Sequence, residues 1–193
     1  MSARGELPTR SFPSASEWER WLERWHERSR GLWLKIAKKG TDIATVSHAE
    51  ALELALCFGW IDSQRSPLDA TFFLQRFTPR GPRSRWSQIN RDRAIALAAA
   101  GRMRPAGAAQ IELAKADGRW DAAYPGQRTA TVPDDLRDAL AANPTAGAVF
   151  ATLDSVNRYA ILYRIHDARR PATRAARIER YVAMLAAGRR IHP

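Results

Sequence analysis

Between Phe72 and Arg104 the chain sets eight arginines, Arg76, Arg80, Arg83, Arg85, Arg91, Arg93, Arg102 and Arg104, against one acid, Asp92. A guanidinium fork donates two parallel N–H bonds to a carboxylate or phosphate, so arginine at this density suits anion recognition. Ser84 and Ser87 add hydroxyls. A helix starting beside them would contribute backbone N–H groups that have no partner inside the helix. The candidate ligand-binding residues are therefore Arg76, Arg80, Arg83, Ser84, Arg85, Trp86, Ser87 and Asn90, with Trp86 able to stack on a ligand and Asn90 to hydrogen-bond it. A structural reading stands beside this one: the arginines pair with the acids of the first helix or with Asp62 and Asp69, Ser84 merely caps the helix, and Trp86 joins the core.

Charge is unevenly distributed. Residues 1–70 carry ten basic and ten acidic side chains, 71–130 eleven and four, and 131–193 ten and six, so the overall +11 divides into 0, +7 and +4. A GC-rich coding sequence accounts for arginine being 27 of the 31 basic residues, but not for the absence of any excess from the first 70. Such a field steers anionic partners. The partner expected is a small anionic ligand or an acidic protein surface. Two alternatives are nucleic acid bound by the same strip and an enzyme acting on a small anionic substrate.

Other chemistry finds little support. His26, His48, His166 and His192 lie far apart and form no HxxxH, HExxH or CxxC-type spacing, so no metal site is expected. His166-Asp167, near Tyr159 and Tyr163, is the one place where a base could be oriented. Cys57 sits in the apolar run Ala-Leu-Cys-Phe and reads as a small buried hydrophobe, unable to pair within the chain, which fits a reducing compartment. No glycine-rich phosphate loop occurs; Gly101, Gly107 and Gly118 mark helix ends or packing points. No catalytic residue and no cofactor are assigned. The N-terminus lacks an apolar signal core, and no apolar run approaches the roughly 18 residues of a membrane span, so a cytoplasmic location is expected.

The elements that position these residues follow from pattern. Ser14-Ala15-Ser16-Glu17 is a capping box opening a helix whose stripe is Trp18, Trp21, Leu22 and Trp25. Gly31 reads as the residue ending it, before a strand over Leu32–Ala37. Ser47-His48-Ala49-Glu50 opens a helix through Phe58, with His48 exposed in its first turn. Trp60-Ile61-Asp62 begins an extended segment. Thr71–Thr78 is a strand apolar on both faces, hence central or helix-covered, and Pro79 and Pro82 end it. Ser84 or Ser87 caps a helix with Trp86, Ile89, Arg93, Leu97 and Ala100 on one face, and Pro105 starts another. Residues 118–132 lose all periodicity and mark a linker. Helices follow from Pro133, from Pro144, from Asp154 or Ser155 (Val156, Tyr159, Ala160, Tyr163, Ile165) and from Pro171 or Thr173 (Ala176, Ile178, Tyr181, Val182, Leu185). In the last of these, Arg169, Arg170, Arg174, Arg177 and Arg180 make a basic face, either solvated or docking on an acidic surface. The domains expected are 1–124, α+β, and 131–193, helical.

Several stretches together resemble the YdeI/OmpD-associated (bacteriocin-protection) family of bacterial proteins. They are FPSASEWERWLERWH (Phe12–His26), GLWLKIAKKG (Gly31–Gly40), ALELALCFGWIDSQ (Ala51–Gln64), FLQRFTPRGPRSRWSQINRDRA (Phe73–Ala94), GRMRPAGAAQIELAKADGRWDAAY (Gly101–Tyr124) and the close ARIERYVAMLAAGRRIHP. Ser63 stands where such sequences tend to have Gly, and Gly81 where a further Arg is common. The resemblance implies an α+β fold: a small antiparallel sheet packed with helices, of the CyaY/YjbR-like and YdhG-like group, followed by a helical C-terminal segment. It also implies a loose link to stress or bacteriocin survival, and no catalytic residues.

Overall fold

The computed structural model describes residues 7–193. Its elements run β1 (Thr9–Arg10), α1 (Ala15–Trp25), β2 (Leu32–Ala37), α2 (His48–Cys57), β3 (Trp60–Pro67), β4 (Phe72–Pro79), α3 (Gln88–Ala99), α4 (Pro105–Ala116), α5 (Asp134–Ala141), α6 (Pro144–Ala151), α7 (Ser155–His166) and α8 (Pro171–Ala186). The fold is α+β with a helical C-terminal segment. Two compact units emerge: the chain through Trp86 with Asn90–Ala122, and Ser87–Ile89 with Ala123–Pro193.

In the first unit the strands stand in the order β1-β2-β4-β3, with β1 parallel to β2 and both other pairings antiparallel. β4 is central, as its two apolar faces predict. Register sets Leu32, Leu34 and Ile36 opposite Phe77, Gln75 and Phe73, all six on one buried face. Gln75 is polar in this core for a reason. Pairing between β3 and β4 shifts between Asp62 and Arg65, and Gln75 Nε2 donates to the carbonyls of Ser63 and Gln64 at 3.3 and 3.2 Å. The bulge is thereby satisfied from across the ladder.

α1 and α2 lie on this face. Ser14 accepts the Glu17 N–H, and Ser47 with Glu50 forms the complete capping box. Trp18 meets Phe77 at 5.7 Å and Trp60 at 6.4 Å, while Trp21 meets Trp60 edge-on at 5.7 Å. The indole N–H groups donate to carbonyls, Trp18 to Ala51 and Trp60 to His26, so the aromatic layer buries no unmet donor there. Trp25, the last helical residue, is exposed. Gly31 does not end α1, which stops at Trp25. It has φ +130°, and a Cβ there would lie 2.6 Å from the Phe77 carbonyl oxygen, so glycine is required by the close approach of β2 to β4.

α4 packs on the end of α2 through Gly107, where a Cβ would fall 2.2 Å from the Cys57 carbonyl oxygen and 2.5 Å from Met103 Sδ. α3 starts later than the pattern suggests. Trp86 precedes it, Ile89 is 49% exposed, and Ala94 and Leu97 form its buried side.

The second unit packs α5–α8 around Leu136, Leu140, Phe150, Ile161, Ile165, Ile178, Tyr181 and Leu185. α7 buries Asn157, Ile161, Leu162 and Ile165, so of the residues its pattern picks out only Ile165 is fully buried, and Val156 is 56% exposed. Asn157 explains the offset. Its Oδ1 accepts the N–H groups of Ile191 and His192, and its Nδ2 donates to the His192 carbonyl, fastening the chain end to the bundle. Asp135 accepts two bonds from Arg174, which also donates to the Ile165 carbonyl.

Gly107→Ala improves helix propensity, yet we expect it to destabilise the protein by at least about 2 kcal/mol, because the neighbouring atom is fixed backbone. Chemical denaturation reads this directly. The Arg174 hydrogen bond holds the Asp135 carboxyl below its ordinary range, so its contribution is present above the unfolded-state pKa and fades as pH falls through the lower folded-state value. Asp135→Asn should therefore lower stability at pH 7 by under about 1 kcal/mol for this half-exposed pair, read as a modestly lower melting temperature, and the gap to wild type should close on acidification.

Candidate functional site

β4 ends at Pro79, which faces Trp60, and the Arg80 N–H donates to the Gly59 carbonyl at 2.9 Å. The loop then folds on itself. Gly81 N–H donates to Ser84 Oγ and Ser84 N–H to the Gly81 carbonyl, both at 2.9 Å, so the Ser84 hydroxyl closes a turn. Two arginines brace this turn from within. Arg80, 5% exposed, lays its guanidinium 3.6 Å over the Trp86 ring and donates to the Arg85 carbonyl at 3.2 Å. Arg119, also buried, donates to the Ser84 carbonyl at 2.8 Å and pairs with Asp117 at 2.7 Å. Trp86, 2% exposed, packs edge-on against Trp120 at 4.9 Å.

The structure divides the eight expected residues by role. Arg80 and Trp86 are internal, and Ser84 holds the turn. Ser87 and Gln88 belong to the second unit, where Ser87 bridges to Tyr124 and Gln88 N–H donates to the Tyr124 carbonyl at 2.8 Å. One N–H at the start of α3 is thus met by a carbonyl. Asn90 is half-buried in α3. Arg83 and Arg85 are exposed on the loop, and Arg76 is half-buried on β4, opposite Trp33.

The acids of α1 and α2 pair with the last two arginines of the segment, and Asp62 and Asp69 have other partners. Arg104 bonds Glu19 and Glu23 of α1 at 3.2 and 3.0 Å, and Arg102 bonds Glu53 at 3.4 Å. Asp62 takes His48 Nε2 at 2.9 Å. Asp69 accepts the N–H groups of Thr71 and Phe72 and the Thr71 hydroxyl, bonds that hold its carboxyl low. Among the described residues, Arg76 and Arg83 make no ion pair and no side-chain hydrogen bond.

Sequence reasoning missed Arg119 and the His48–Asp62 pair. Arg119 lies in an aperiodic stretch, and the pair joins the start of α2 to β3 fourteen residues on, so no local pattern announces either. Other titratable groups are held quiet. Burial raises the Cys57 thiol, and Tyr159, donating to the Pro125 carbonyl, is pushed up to about 12 by burial, so it stays protonated. In the second unit an open apolar groove of about 780 Å³ runs between α5 and α8, with the Asp135–Arg174 pair at its edge. No described helix is long and apolar enough to cross a membrane.

Residues 10–110, just over half of the chain, match the family model Domain of unknown function (DUF8412), and residues 129–188 match Bacteriocin-protection, YdeI or OmpD-Associated. The chain belongs to the DUF8412 family, and its C-terminal part matches the YdeI/OmpD-associated family. The C-terminal match covers α5–α8, whereas the basic segment and its FTPR motif fall within the domain of unknown function. No curated protein and no solved structure matches the chain.

Arg80→Ala should destabilise the protein by about 2 kcal/mol, because it removes a buried π contact and leaves a carbonyl without its donor. Arg83→Ala should stay within about 0.5 kcal/mol of wild type, as exposed substitutions do. Thermal denaturation of the two variants separates the bracing arginine from the displayed one.

Proposed function

We propose that this chain is a non-catalytic binding protein of the cytoplasm that takes anionic ligands on the basic loop between β4 and α3. The reading rests on Arg83. It is exposed on a turn braced by Arg80 and Arg119, in the segment of highest positive charge, and no described carboxylate pairs with it. A guanidinium held on a rigid turn loses little freedom when it binds, which favours recognition over mere solubility. Arg85 beside it supplies a second fork. The description of the C-terminal match supports a role in bacteriocin protection or a related stress, where a binding protein would act by sequestering or sensing an anionic molecule.

The test is calorimetric titration with inorganic polyphosphate at low and high salt. Wild type should bind, with affinity falling as salt rises, and Arg83→Ala/Arg85→Ala should weaken binding about tenfold or more, one charge-assisted bond being worth roughly 1.5–3 kcal/mol. Equal affinity in wild type and double variant would remove the loop from consideration.

A further inference from the structure

The sheet of the N-terminal unit has a second face. Strand alternation places Trp33, Lys35 and Ala37 of β2 and Phe72, Leu74, Arg76 and Thr78 of β4 on the side away from Trp18, Trp60 and Phe77. Ile61, paired with Thr78, extends that side onto β3. The ring contacts from α1 and α2 run to the opposite side, and α4 meets the end of α2 at Gly107. Among the described residues, no helix makes a ring contact or side-chain hydrogen bond with Trp33, Phe72 or Arg76.

Chemistry on this side is selective. Its two strand-borne charges are both positive, Lys35 and Arg76; the nearby carboxylate is Asp69 in the turn before β4, which feels the Lys35 charge and is already bonded to Thr71 and the Phe72 N–H. Its large side chains are two aromatics and two aliphatics, all half-buried. Lys35 Nζ sits 3.8 Å from the centroid of the Phe72 ring, and Arg76 is the cross-strand neighbour of Trp33. Each aromatic is therefore accompanied by a cation. Trp33 and the Phe72 position are separated by four residues of register, about 13 Å along the strands, with Leu74 between them.

We propose that this open face is a docking platform for single-stranded nucleic acid. Bases stack on Trp33 and Phe72 while Lys35 and Arg76 meet the phosphates on either side. Charge complementarity selects a polyanion, and the aromatic rings select one that carries flat, unpaired bases. A duplex hides its base faces and offers phosphates alone. An acidic peptide would use the cations and leave the rings without a partner. A base arriving on Phe72 displaces the Lys35 ammonium toward the backbone phosphate, exchanging a cation–π contact for an ion pair. The platform uses a different surface from the Arg83/Arg85 loop and does not depend on the reading given for it.

The experiment is fluorescence anisotropy with labelled oligothymidylate and oligouridylate of about twelve nucleotides, at about 50 mM salt, with a duplex of the same length as competitor. Trp33→Leu and Phe72→Leu keep apolar bulk and remove the π face; Lys35→Glu reverses an accessible charge. Thermal melts check that each variant is folded. Single strands should bind and the duplex should compete poorly. Each Leu variant should weaken binding about 5- to 100-fold, and Lys35→Glu should weaken it and flatten its salt dependence. Absence of single-strand binding, equal binding of duplex, or unchanged affinity in folded Trp33→Leu and Phe72→Leu proteins would overturn the platform. Polyphosphate titrated into the same variants reports on the loop separately. Oligonucleotide binding that survives both Leu variants but disappears in Arg83→Ala/Arg85→Ala would assign the strand to the loop and reject the sheet face.

Discussion

A strand has two sides, and α1 and α2 pack against one of them. Because side chains alternate along β2 and β4, placing Leu32, Leu34, Ile36, Phe73 and Phe77 beneath α1 and α2 commits Trp33, Lys35, Phe72, Leu74 and Arg76 to the other side. A one-residue slip would exchange the two sets and bury a lysine and an arginine under the tryptophans of α1. The register is pinned against that slip by Gly31, where only glycine tolerates the approach to the Phe77 carbonyl, and by Gln75, whose amide answers the bulge in β3. Core and open face are thus one decision.

The arginine-rich segment repays the same attention to geometry. Arginines alike in sequence fall into three physical roles. Arg80 lies inside the loop, and Arg119 reaches it from beyond α4; a buried guanidinium is tolerable there because its plane stacks on Trp86 or its donors reach a carboxylate and a carbonyl. Arg102 and Arg104 tie α3 and α4 to acids of α1 and α2, joining elements far apart in the chain. Arg76 and Arg83 keep their donors clear of described carboxylates. Local charge density alone would have assigned all of them to one ligand.

The family description attaches to the bundle α5–α8, and the richest candidate surfaces lie in the preceding domain of unknown function. In the bundle the conspicuous devices are structural. Asn157 fastens the chain end, and Arg174 ties Asp135 at the start of α5 to the end of α7. Its basic last helix follows the same rule, with Arg174 and Arg177 bonded to Asp135 and Asp167. Charge there serves cohesion before it serves a partner.

The sequence by itself determined what is local. The capping box at Ser47, the prolines opening α4, α6 and α8, the strands around Leu34 and Gln75, and the aperiodic stretch after Gly118 all follow from contacts within a few residues, which pattern encodes directly. The same locality made the family resemblance legible. The start of α3, the inward face of α7, the pairing of His48 with Asp62 and the internal placing of Arg80 were decided by tertiary structure. Each depends on a partner distant in the chain: Tyr124 for Gln88, the chain end for Asn157, β3 for His48, and Trp120 with Arg119 for the loop that encloses Arg80. Periodicity reports which residues can share a side. Which side is covered, and which arginine is left facing outward, is fixed when distant segments meet and satisfy one another's polar groups.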